Sequence, residues 1–233
     1  MPDMQPLTIW GLYFSPNPFK VILILAELGI PFKLESTSTA VVKSPEYTKL
    51  NPNGRTPTIY DPNTDTTLWE SGAIITYLID TYDHEHRISF PRASKEYYLA
   101  NQWLFFQTSG QGPYFGQWYW FTTRHPEKIP SAIDRYSGEM RRILGVLNKW
   151  LAGGDDGGDG KGPRQFLLGD KCSYADLSFV PWNLYAPCMA LNVTPEELEK
   201  EFPYFSAWME RMKARPAVAA MIEKRKAEIE SAK

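Results

Sequence analysis

Two short stretches of this 233-residue chain carry residue types that could bind a peptide-like ligand. The first is Asn51-Pro52-Asn53-Gly54-Arg55-Thr56-Pro57-Thr58-Ile59, and the second is Leu68-Trp69-Glu70-Ser71-Gly72-Ala73-Ile74-Ile75. A proline opening a short apolar strand cannot donate a ladder hydrogen bond, so Pro57 belongs at a strand start or an edge. Thr56, just before it, then keeps its backbone N–H and C=O for a ligand. Glu70-Ser71 stand where a new helix begins, and a helix start is an anion site. Glu70 beside it suits an ammonium. Together these residues fit a ligand with an amino-acid head at one end and a peptide backbone at the other.

Glutathione is such a ligand, and the two motifs resemble the glutathione site of the cytosolic glutathione transferases. Tyr13-Phe14-Ser15-Pro16-Asn17-Pro18-Phe19-Lys20-Val21 narrows the resemblance to the bacterial nu class and a related fungal group. That group includes the yeast nitrogen-catabolite regulator. The resemblance runs from about Leu7 to about Ile222. It implies a γ-glutamyl clamp in which Ser71 and its helix start take the carboxylate while Glu70 takes the ammonium. Ser71 reads equally as a plain N-cap. The resemblance also implies that Thr56 makes backbone bonds to the cysteinyl part, ahead of Pro57 and with a cis Thr56–Pro57 bond. Arg55 and Lys43 are candidates for the glycyl carboxylate, and each reads equally well as a solvated surface charge.

Glutathione reacts as a thiolate, and a free thiol has a pKa of about 8.5. Lowering it by ~2 units takes about 2.7 kcal/mol of preferential thiolate stabilisation. Two or three donors aimed at the sulfur, plus a helix N-terminus, could supply that. The first βα turn offers Tyr13, Ser15 and Asn17 and no cysteine, which argues against a cysteine nucleophile. In the subgroup this chain resembles, an asparagine matching Asn17 contacts the sulfur, and Ser15 takes the place of a threonine that also reaches it. Tyr13 is the runner-up. Asn17-Pro18 also reads as an ordinary helix start, with Asn as N-cap and Pro at the first helical position. Pro18 stands where the subgroup commonly has glycine, and that bulk bears on how Asn17 is aimed.

These residues need a scaffold. Leu7 to Phe14 reads as a buried strand. A helix follows with Phe19, Val21, Ile22, Leu25 and Leu28 on its apolar face, ended by Gly29. Pro31 to Glu35 completes a βαβ unit. Pro45 to Leu50 reads as a short helix. Thr56 to Tyr60 and Thr66 to Trp69 flank a turn cluster and form a hairpin. Ser71 to Tyr82 is an amphipathic helix with Ile74, Ile75, Leu78, Ile79 and Tyr82 inward. The order β-α-β-α-β-β-α is that of an α/β thioredoxin-like domain, residues 1–83, with a linker at 84–91. Residues 92–233 read as an all-α domain, the glutathione transferase architecture. Its helices are expected at Ser94 to Phe121, Pro130 to Leu151, Tyr174 to Tyr185, Phe202 to Ala214 and Pro216 to Ser231. Ser109-Gly110-Gln111-Gly112-Pro113 should break the first of these. Gly153 to Gly162 is low-complexity and reads as a mobile loop. Ser173-Tyr174-Ala175-Asp176 has the form of a capping box and is assigned to folding.

A hydrophobic fraction of 43% is ample for a core, and a net charge of −2 gives no field favouring nucleic acid or anionic lipid. Cys172 and Cys188 have neither C-x-x-C spacing nor partner histidines, so neither a disulfide framework nor a metal site is expected. No signal peptide and no membrane span are read, which points to a cytoplasmic protein. Aromatic residues reach 14% and concentrate between Tyr97 and Phe121, consistent with an aromatic-lined cleft or an interface. Phe14, Tyr114, Trp118 and Tyr119 are candidates for a hydrophobic electrophile pocket, although an aromatic at helical spacing more often packs a core or a dimer face. The expected function is conjugation of glutathione to a hydrophobic electrophile, in detoxification or fungal secondary metabolism. The alternatives are glutathione-dependent disulfide reduction without an enzyme cysteine, and a regulatory or ligand-carrying protein without turnover. The Asn/Gln-rich extension of the yeast regulator is missing ahead of Leu7, which disfavours the prion-type reading. The resemblance also implies a homodimer.

Overall fold

The structure is a computed structural model that describes residues 4–154, 162–184 and 186–231. The chain begins with β1 (Leu7–Gly11), α1 (Pro16–Leu28), β2 (Phe32–Ser36) and two short helices, α2 (Thr39–Val42) and α3 (Pro45–Leu50). The hairpin β3 (Thr58–Asp61) and β4 (Thr66–Trp69) leads into α4 (Ser71–Tyr82). The strands form one sheet in the order β2-β1-β3-β4. β1 is parallel to β2 and antiparallel to β3, with Ile9 opposite both Leu34 and Ile59. This is the expected thioredoxin-like order, with α2 as an addition.

A helical stretch follows: α5 (Lys95–Phe106), a π-helical turn (Gln107–Gln111), α6 (Gly112–Thr123), α7 (Pro130–Ala152), α8 (Tyr174–Asn183), α9 (Ala186–Leu191), α10 (Pro195–Glu201) and α11 (Pro203–Lys213). The last helix is α12 (Pro216–Ser231). Two compact units result. One is Phe90–Met212, and the other runs to Ser89 and takes back the chain from Lys213 onward. The division falls between Ser89 and Phe90, and α12 belongs with the sheet and not with the other helices.

That return explains α1. Sequence periodicity gives α1 one apolar face, yet Pro18 through Leu25 are all buried, Lys20 included. α4 and α12 both pack against α1, which covers the Pro18–Leu25 stretch on every side. Fully burying each Leu or Ile here contributes about 1.5–3 kcal/mol.

The entry to α1 differs from the sequence expectation. β1 stops at Gly11 and not at Phe14, so Tyr13 and Phe14 lie in the turn. The helix opens at Pro16 with Ser15 at the N-cap, which places Asn17 inside the first turn. Of two prolines one residue apart, the earlier takes the first helical position, where its missing N–H costs nothing. Gly11 allows this close entry: a Cβ there would lie 2.5 Å from Pro18 Cβ.

The expected break in the long helix is the π turn. Pro113 has no N–H to give, and the Gly112 N–H reaches back to Gln107 O, a wider loop than an α-helix makes. α9 and α10 were not anticipated, and the expected helix to Tyr185 ends at Asn183. α7 buries Met140, Ile143, Leu144, Leu147 and Leu151 along one stripe. Asp176, fully buried, accepts from the N–H groups of Ser173 (3.0 Å) and Leu167 (2.8 Å) and from Trp208 Nε1 (3.0 Å). This is the capping element read from Ser173–Asp176, extended to two further segments. Most of the Gly153–Gly162 loop lies outside the described residues. Among the described residues no helix is long and apolar enough to cross a membrane, and no group of three or more His, Cys, Asp or Glu could hold a metal ion.

Candidate active site

The site begins with the loop that precedes β3. Tyr47 on α3 donates its hydroxyl to Arg55 O (2.9 Å) and lies 2.7 Å from Thr58 Oγ1. Asn51 Nδ2 donates to the same carbonyl (2.7 Å) and to Thr58 Oγ1 (3.1 Å). Both side chains are buried, so the hydrogen bonds hold the loop from beneath. Asn53 N–H closes a turn on Asn51 Oδ1 (2.9 Å). Thr56 sits two residues ahead of β3, outside the ladder, and its bond to Pro57 is cis.

The opposite wall is the start of α4. Glu70 is its N-cap, and Ser71, expected as a cap, is the first helical residue. Ile74 N–H makes the first intrahelical bond, to Glu70 O (2.9 Å), so the N–H groups of residues 71–73 have no partner within the helix. Glu70 has φ 69 and ψ 113, a region non-glycine residues rarely adopt. Such a conformation costs of order 1–3 kcal/mol and is concentrated at functional sites. Here it brings Glu70 and Ser71 together onto one wall.

Between the walls lies a cavity of about 240 Å³ lined by Asn17, Arg55, Thr56, Pro57, Glu70 and Ser71, together with Asn51 and Asn53. Six expected site residues, far apart in sequence, therefore meet around one polar hollow. Asn17 is no N-cap, and it lines this space from the first turn of α1. Ser15 holds the cap position, makes no side-chain cap bond, and lies outside the lining. Lys43 is also outside it: its Nζ donates to Gly54 O (2.8 Å) and ties α2 to the loop. Gly54 has φ 60, and a Cβ there would lie 2.9 Å from Val42 O.

The four aromatic candidates are divided between the units. Phe14 is exposed in the turn before α1. Tyr114 packs near Tyr136, Tyr119 is exposed, and Trp118 is buried in the helical unit. The Tyr13 phenol is pushed up by burial and by the nearby Glu228 charge, so it stays protonated.

Three residues near the site had been given no role from sequence. Asn51 and Asn53 stood inside the first motif. Asn53 Nδ2 donates to Glu70 Oε1 (3.4 Å) and joins the two walls. Lys20 stood inside the Tyr13–Val21 stretch. It is 1% exposed, and burial lowers its pKa to about 7 against the opposing pull of Glu70. The only signal in the sequence was a lysine in the middle of an apolar run.

Comparison with known proteins bears on the family and the fold. Residues 14–81 match the family model for the glutathione S-transferase N-terminal domain, and residues 113–216 match that for the C-terminal domain. The chain is 50% identical to the glutathione S-transferase-like protein tpcF of Aspergillus fumigatus, over 94% of this chain and 95% of that one. Its fold is similar to that of the glutathione transferase URE2P6 of Phanerochaete chrysosporium, solved in complex with oxidized glutathione. The TM-score is 0.87 and the identity 41%, over 98% of this chain and 100% of that one. It is also similar to Ure2p5 of the same fungus, cocrystallized with 1-(S-glutathionyl)-2,4-dinitrobenzene. There the TM-score is 0.80 and the identity 36%, over 97% and 96% of the two chains. A polar hollow between a cis-proline loop and a helix start, on a thioredoxin-like sheet, thus goes with sequence identity along almost the whole length: the chain belongs to the glutathione S-transferase family.

Proposed function

We propose that the protein is a glutathione transferase that binds glutathione in the 240 Å³ cavity and conjugates it to a hydrophobic electrophile. The observation that carries this reading is the meeting of Glu70, Ser71, Thr56 and Asn17 around one hollow. The γ-glutamyl carboxylate takes Ser71 and the open N–H groups of α4. The ammonium takes Glu70, which also accepts from the Asn53 amide. Thr56 lends its backbone to the cysteinyl residue, and Arg55 faces the glycyl carboxylate, with Lys43 a second cation nearby. This pose directs the sulfur toward the first turn of α1.

There the Asn17 amide and the Ser15 hydroxyl donate to the sulfur, beside the positive end of a 13-residue helix. Donors that prefer the thiolate lower the thiol pKa, and the bound electrophile then meets an oriented nucleophile. Phe14, exposed in the same turn, is the aromatic side chain proposed to face that electrophile. The Ure2p5 relative, which holds a glutathionyl aryl conjugate, supports this chemistry. The protein acts as a homodimer in the cytoplasm, in detoxification or fungal secondary metabolism. A monomer mass by light scattering at micromolar concentration would sink the dimer.

A second reading is favoured by the URE2P6 relative, which holds oxidized glutathione. Here bound glutathione thiolate attacks the glutathionyl sulfur of a mixed disulfide, which releases the other thiolate and leaves glutathione disulfide. No enzyme cysteine takes part, and none lines the cavity. Calorimetric titration with glutathione, alongside Ser71→Ala, tests both readings. Binding that weakens at least tenfold in the variant supports the site, and assays with chlorodinitrobenzene and with a glutathionyl mixed disulfide then separate the chemistries. No heat of binding from the folded parent protein overturns both and leaves a ligand-free regulatory role.

A further inference from the structure

The turn between β1 and α1 is held by side chains that arrive from the far end of the chain. Phe14 N–H donates to Glu228 Oε2 across 2.8 Å. Phe14 C=O accepts from Arg225 Nη2 in a longer contact of 3.4 Å. Both polar groups of one residue are thus taken by neighbours on α12. Arg225 is 9% exposed, and its guanidinium lies 5.8 Å from the centre of the Phe19 ring. At the other end of the helix pair, Arg215 makes a two-pronged contact with Glu27, 2.7 Å on each arm. The two anchors join Glu27 to Arg215 and Phe14 to Glu228, so α12 lies antiparallel along α1. The anchored spans are equal, thirteen positions on each segment. Closing the same turn from within, Ser15 N–H donates to Leu12 O (3.2 Å).

We propose that Glu228 and Arg225 are positioning residues for the thiolate site: by holding the Phe14 peptide groups they fix the turn from which Ser15 and Asn17 are aimed. The proposal rests on the glutathione reading above. Neither residue lines the cavity, so neither touches the γ-glutamyl end of the ligand. The sulfur end depends on Ser15 and Asn17, one and three positions after the held residue. A loosened turn therefore weakens thiolate stabilisation and leaves glutathione binding nearly intact. Burial, and after it the Glu228 charge, pushes the Tyr13 phenol up beside the same turn. A charged acceptor makes the stronger bond to Phe14 N–H.

The test compares Glu228→Ala with Glu228→Gln in the full chain, because glutamine keeps an acceptor oxygen. Amide hydrogen exchange at Phe14, without glutathione, reads the clamp itself. Titration of the ultraviolet thiolate band of bound glutathione, with kcat and KM, reads its consequence. In Glu228→Ala, Phe14 should exchange about tenfold faster, as expected for loss of a charge-assisted bond. The bound thiol pKa should rise and kcat fall roughly threefold or more, while KM for glutathione stays within about twofold. Glu228→Gln should recover most of both effects. Unchanged exchange in Glu228→Ala overturns the clamp. Faster exchange with an unchanged thiol pKa and kcat overturns its role in thiolate formation, as does an equal loss in both variants. A parent protein that binds no glutathione defeats the glutathione reading and this role together, while the exchange rates still show whether the clamp exists.

Discussion

Asn53 Nδ2 donates to Glu70 Oε1 across 3.4 Å and so joins the loop ahead of β3 to the residue that opens α4. The contact orients the carboxylate proposed to receive the glutathione ammonium. Asn53→Ala should therefore raise the dissociation constant for glutathione by roughly three- to tenfold, the effect of about 1 kcal/mol of lost hydrogen bonding. Calorimetry checks this, and an unchanged constant would mean that Glu70 is held without help.

Asn17 lines the cavity from inside the first turn of α1, where it does not cap the helix. If its amide donates to the sulfur, Asn17→Ala raises the apparent pKa of bound glutathione in a pH–rate profile and lowers kcat about tenfold or more. An identical profile would pass the role to Ser15. Tyr13 is the weaker substitute, because burial and the Glu228 charge both resist any negative charge on its phenol.

Lys20 supplies a stability signature. Its pKa is 10.5 in the ordinary state and falls to about 7 in the fold, with burial as the main cause. Between those values the unfolded chain binds a proton that the folded chain has released. Stability from this group therefore rises with pH across the window and is flat below it. Urea midpoints measured from about pH 6 to 9 should climb in the parent protein and climb less in Lys20→Met. Equal slopes would refute a lysine that deprotonates on folding.

Asp176 joins three segments of the helical unit through bonds to Ser173, Leu167 and Trp208. Asp176→Ala strands those buried donors and should cost about 3–5 kcal/mol, read as a lower urea midpoint. Trp208→Phe removes one donor and its packing volume together and should cost less. A small loss in Asp176→Ala would mean that water replaces the carboxylate.

Much of the site was legible because its chemistry is local. A proline after Thr56 marks a strand start, and Glu70-Ser71 before an apolar helix marks a candidate anion site, wherever the chain folds. The thioredoxin-like order followed from hydrophobic period and turn residues over spans of about ten residues. Errors clustered at boundaries, where two local solutions compete. Pro16 and Pro18 both suit a first helical position, and the structure opens the helix at Pro16. Ser71 lost its cap role to Glu70 because the backbone of Glu70 turns to positive φ, which its residue type does not announce.

From the sequence alone came the fold class, the ligand class suggested by the motifs, and the lack of a cysteine in the first βα turn. All three depend on neighbouring residues and on resemblance along the chain. Tertiary structure decided which residues meet: Asn53 with Glu70, Lys20 beneath the site, and α12 returning to grip Phe14. Such contacts join positions up to 214 residues apart. Closing a loop of that length costs only slowly growing entropy, so chain distance forbids almost nothing. The packing of α1 against the sheet, α4 and α12 selects among the many pairings that remain.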